Sequence, residues 1–178
     1  MIGLATALGD ADPHELRDCL DHNARPLFGL AHAPLHEQAA EIAEAITNRL
    51  GLRATTDRHG HLLLNHALAD RAAHPIILAT IGHELARHAG LSSVVARSRS
   101  DYWTLLTRGD TFLPLGYGSR TTLISSEPEA CCAHEIAHQI LLRIAADGTP
   151  ESARRADRLR VALTSACRSA NPTCRRPQ

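Results

Sequence analysis

His134, Glu135 and His138 stand in the order HExxH, the residue pattern in this chain best suited to chemistry. On a helix, histidines four apart share a face and can both reach one zinc ion. The glutamate between them can then polarise a metal-bound water. Cys131 sits one turn earlier on the same face, which makes a Cys/His/His stripe conceivable. A catalytic zinc would need a further ligand from elsewhere, and Glu151, Asp157, His83 and His88 are the candidates. Cys131 and Cys132, with the nearby histidines, could instead form a structural zinc or redox site. Adjacent cysteines seldom reach disulfide geometry without strain, however, and helix packing is the plainer reading.

The helix that carries the motif argues against an enclosed site. At about 100° per residue, Ala133, Ile136, Ala137, Ile140, Leu141 and Ile144 form its apolar stripe. His134, His138 and Cys131 fall to the flank or solvent side of that stripe unless the last helix covers them. A peptidase helix has to turn its histidines into a cleft. Histidine is also abundant, at 12 of 178 residues, and every basic side chain is arginine, none lysine. That composition fits a bias toward GC-rich codons, which raises the chance of a fortuitous HExxH. The motif is therefore expected to be fortuitous and to bind no metal.

Elsewhere the chemistry-bearing residues read as structural. His83 and His88 are five apart, poor spacing for one metal on one helix, and His88 suits a helix C-terminus. The HGH of residues 59–61 is a polar loop, and Arg154 to Arg160 is a solvated helix face. Arg108-Gly109-Asp110 is a hairpin turn.

The elements that must hold these residues are organised around 74–91, HPIILATIGHELARHAGL. Pro75 suits a first helical turn and Gly90 a left-handed end. Ile77, Leu78, Ile81 and Leu85 give it a core-facing stripe. Before it come helices over about 13–24, opened by a capping box at Asp12 and Glu15, 35–50, and a short one over 62–72. After it the period changes: 92–97, 102–107, 111–115 and 121–125 read as strands. A second capping box at Ser126 to Glu129 opens a helix to about 147, and Thr149-Pro150 starts a last one to about 167. The domain division is 1–148, an appended helix over 149–170 and a loose tail over 171–178. The fold class is α+β: helices at both ends, and a central helix on an antiparallel sheet of about four strands.

Hydrophobic residues make up 44% of the chain and aromatics 3%, so aliphatic side chains must fill the core. The formal net charge of zero speaks against a nucleic-acid or membrane-surface binder. No run reaches the ~18 apolar residues of a membrane span. Five cysteines without framework spacing or a signal peptide lead us to expect a reduced, cytoplasmic protein.

In this order the segments resemble the transglutaminase-like superfamily, specifically its bacterial SirB-type branch. The resemblance rests on Asn65 to Leu68, on His74-Pro75-Ile76-Ile77-Leu78, and on Ala86-Arg87-His88-Ala89-Gly90-Leu91. The segments VVARSRSDYWTLL and TFLPLGYG follow. LRDCLDHNARPLF resembles the branch's N-terminal helix. HQILLRIAADGTPESARRADRLRVAL resembles its trailing pair of helices, where a tetratricopeptide-like segment begins. About residues 15–165 are covered. The resemblance implies a papain-like helix-on-sheet fold with a Cys, His and Asp triad in active members. Those places fall on Pro75, Asp101 and Leu113, so no triad is present. A one- or two-residue slip does not restore it, because no Cys lies between Cys19 and Cys131 and no His between His88 and His134. The expectation is a pseudoenzyme without a cofactor that acts as a protein- or peptide-binding or regulatory module, through a groove beside Pro75, Asp101 and Trp103. Trp103 itself more often packs a core in such a place. The alternative is a zinc-dependent hydrolase using Glu135, His134 and His138.

Overall fold

A computed structural model describes residues 12–55, 59–98, 101–115, 128–146 and 148–169. Helix α1 (Pro13–Ala24) starts at Asp12, whose Oδ1 accepts from the His14 N–H at 2.8 Å. The aspartate does the capping within its own turn, and Leu16 and Leu20 face inward.

Helix α2 (Leu35–Glu44) follows Pro34 and widens into a π turn over Ala45–Arg49 before Gly51 ends it at φ +66°. Ile42, Ala45 and Ile46 are buried on its inner side. So is Gln38, whose Nε2 donates to the carbonyls of Leu30 (2.8 Å) and Ala33 (3.0 Å). Buried, the amide is offset by the loop carbonyls it satisfies.

The expected loop after Gly51 contains more order than its composition suggests. Strand β1 (Arg53–Ala54) pairs in parallel with β2 (Ala72–Ala73), and a 3₁₀ turn covers His59–Leu62. Between them lies α3 (Leu64–Asp70), closed by Arg71 in the left-handed region at φ 51°.

Helix α4 (Pro75–His88) is the buried centre. Ile76, Ile77, Leu78, Ala79, Ile81, Leu85 and Ala86 are all enclosed, and Gly90 takes φ +73° as expected. The chain then turns into an antiparallel sheet in the order β5-β4-β3-β6. Its strands are β3 (Ser93–Ser98), β4 (Asp101–Arg108), β5 (Thr111–Pro114) and β6 (Glu129–Ala130). Arg108-Gly109-Asp110 is the β4–β5 turn, with Gly109 at φ +56°. Arg108 reaches back to the carbonyls of Ala31 and Ala33.

Register sorts the sheet residues to two sides, because successive strand residues face opposite ways. Val95, Tyr102 and Leu106 face α4 and join the main core, with Thr104 buried on the same side. The Thr104 hydroxyl donates to the Ala79 carbonyl at 2.7 Å, fixing strand to helix. Val94, Ala96, Trp103 and Leu105 face the other way and form a second, smaller apolar cluster.

The segment after the sheet departs from expectation. The helix does not open at a Ser126–Glu129 capping box. Glu129–Ala130 is instead an edge strand paired with Arg97 and Ala96, and the Cys131 N–H donates to the Val95 carbonyl. Pairing with β3 outweighs the local helix signal there. Helix α5 (Ala133–Ala145) begins four residues later, with Cys132 as its N-cap. Helix α6 (Pro150–Ser169) packs on α5 and contributes Leu159 to the main core, with Thr149 Oγ1 accepting from the Ser152 N–H at 3.1 Å. The expected strand at 121–125, Ser126, Glu127 and the tail 171–178 lie outside the described residues. Among the described residues, no helix is long and apolar enough to cross a membrane.

Candidate functional site

The HExxH residues sit on the first turns of α5. Ile136, Ala137, Ile140, Leu141 and Ile144 bury its inner side, while His134 and His138 are exposed. Ala133 is also exposed, so the apolar stripe begins one turn later than the wheel proposed. Cys131 is not on the helix face. It precedes the N-cap, because β6 takes up the residues expected to form the first turn.

Glu135 is half-buried and already engaged. Its Oε1 lies 3.3 Å from Arg97 Nη1, and its backbone N–H donates to Cys132 Sγ at 3.4 Å. Arg97 also reaches Glu129 Oε2 at 3.3 Å, so one guanidinium joins β3, β6 and α5. Burial, then the Glu135 charge, pushes the Cys131 thiol up to about 11, which keeps it protonated at neutral pH. A zinc ligand or reactive nucleophile would need the opposite shift.

The candidate third ligands are spread over the molecule. Glu151 faces Arg155 at 3.3 Å, and Asp157 faces Arg160 at 3.2 Å. His83 Nδ1 meets Ser93 Oγ at 2.8 Å, and His88 pairs with Asp21 on one ring nitrogen and lies 3.7 Å from Glu84 through the other. Among the described residues, no group of three His, Cys, Asp or Glu side chains is arranged to hold a metal ion.

The second candidate place is the start of α4. Pro75 occupies the first turn, and His74 caps it, accepting from the Ile76 N–H through Nδ1 at 3.2 Å. His74 is only 7% exposed, and its own N–H donates to the His61 carbonyl at 3.1 Å. His61 is buried too, with Nε2 3.4 Å from Asp70. The N–H groups of Ile77 and Leu78 go to the His74 carbonyl. The helix start is therefore filled and its donors are taken. α5 packs beside the turn at 59–62 that covers it.

Pro75, Asp101 and Trp103 do not line one groove. Pro75 lies on the α4 side of the sheet. The Trp103 side chain lies on the opposite side, as alternation from Thr104 requires, and exposed Asp101 shares that register. Trp103 is 8% exposed, and its indole N–H has no hydrogen-bond partner among the described residues. Beside it, Leu105 pairs with Pro114 and Thr107 with Phe112, so the apolar outer face continues onto β5. Phe112 is 60% exposed.

Sequence reasoning missed the His74 cap, the Arg97 bridge and the His83–Ser93 link. Histidine lies outside the usual capping set, and the other two join residues brought together only by the fold. No protein-family model and no curated protein matches the chain.

Proposed function

We propose that this chain is a non-catalytic domain of transglutaminase-like architecture that binds a protein or peptide partner. The order of elements supports the architecture: a buried helix with proline in its first turn, then an antiparallel sheet directly after a left-handed glycine. Pro75, Asp101 and Leu113 stand where the resemblance asks for Cys, His and Asp. A reaction of that kind needs a thiolate at an accessible helix start, and buried His74 fills this one.

Phe112, at the margin of the sheet's outer face, carries the binding reading. Ala96, Trp103 and Leu105 on that face are buried, with Val94 and Pro114 half-buried beside them, whereas Phe112 stands largely in water. An aromatic ring left largely in water offers apolar area for a partner to bury, which supports a contact role. The HExxH helix contributes packing, with Glu135 held by Arg97.

Selection of displayed random peptides against the purified chain tests this, with affinity read from the emission of Trp103, the sole tryptophan. Selected peptides should change that emission and lose at least tenfold in affinity for Phe112→Asp, while remaining uncleaved. Equal binding to Phe112→Asp with unchanged emission, or cleavage that requires Glu135, would overturn the proposal.

A further inference from the structure

We draw no further inference here: the strongest candidate, the exposed Phe112 side chain on the edge strand beside the buried outer-face cluster, already carries the proposed binding reading, and nothing in the structure shows what covers it.

Discussion

Arg97 Nη1 stands 3.3 Å from Glu135 Oε1, and this contact ties the glutamate of the HExxH motif to the sheet. Both side chains are about a third exposed, so water and salt screen the pair. A double-mutant cycle of Arg97→Ala and Glu135→Gln should give a coupling of about 0.2–1 kcal/mol in urea unfolding. The coupling should shrink as salt is raised. No measurable coupling would mean that the contact does not hold α5 in solution.

The helix–sheet joint should be far less tolerant. Ile77 is fully buried in α4, and Ile77→Ala should cost about 2–5 kcal/mol through lost burial and the cavity left behind. Thr104→Val, nearly isosteric, removes the hydroxyl that bonds Ala79 and should cost about 1 kcal/mol. Phe112→Asp, on the exposed margin, should stay within about 0.5 kcal/mol of wild type. A loss at Phe112 as large as that at Ile77 would contradict the assignment of the two faces.

Acid should weaken the fold in part through His83. Burial lowers its folded value below the usual imidazole value of about 6.5, despite the Glu84 charge. The unfolded chain then binds the proton more readily, so stability falls as pH drops from about 6.5 through the lower folded value. His83→Gln should lose less stability than wild type between pH 7.5 and pH 5. An equal or steeper loss in the variant would remove His83 from the account.

The thiols should separate by rate. In a Cys167→Ser/Cys174→Ser background, exposed Cys132 should react first with an aromatic disulfide reagent at pH 8. Cys131, with its value pushed to about 11, should be slow, because only about one in a thousand of its thiols is ionised at that pH. Burial likewise raises Cys19 and slows it. Replacing Cys132 by Ser should abolish the fast phase. A fast phase that survives would place an activated thiol at Cys131 or Cys19.

Much of the framework was legible from residue order. Pro75 and Gly90 bound the central helix, and the change of period after Gly90 announced the sheet. Alternation also carried information about Trp103 that the groove expectation did not use. Thr104 faces the helix, so Trp103 must face away. The failures have a common physical cause: local signals yielded to partners distant in sequence. Glu129–Ala130 carries helix-start residues yet pairs with β3, and Arg53–Ala54 became a strand only by meeting Ala72–Ala73. For the site, the helical wheel foresaw exposed His134 and His138 but not the occupation of Glu135, since Arg97 lies 38 residues earlier.

Metal content of the untagged, purified chain, measured by mass spectrometry beside a His134→Ala/His138→Ala variant, tests most directly whether this is a domain without catalysis. The account predicts zinc far below one equivalent in both proteins, prepared without chelator, and equal thermal stability. Stoichiometric zinc in the wild type, lost in the variant, would contradict it.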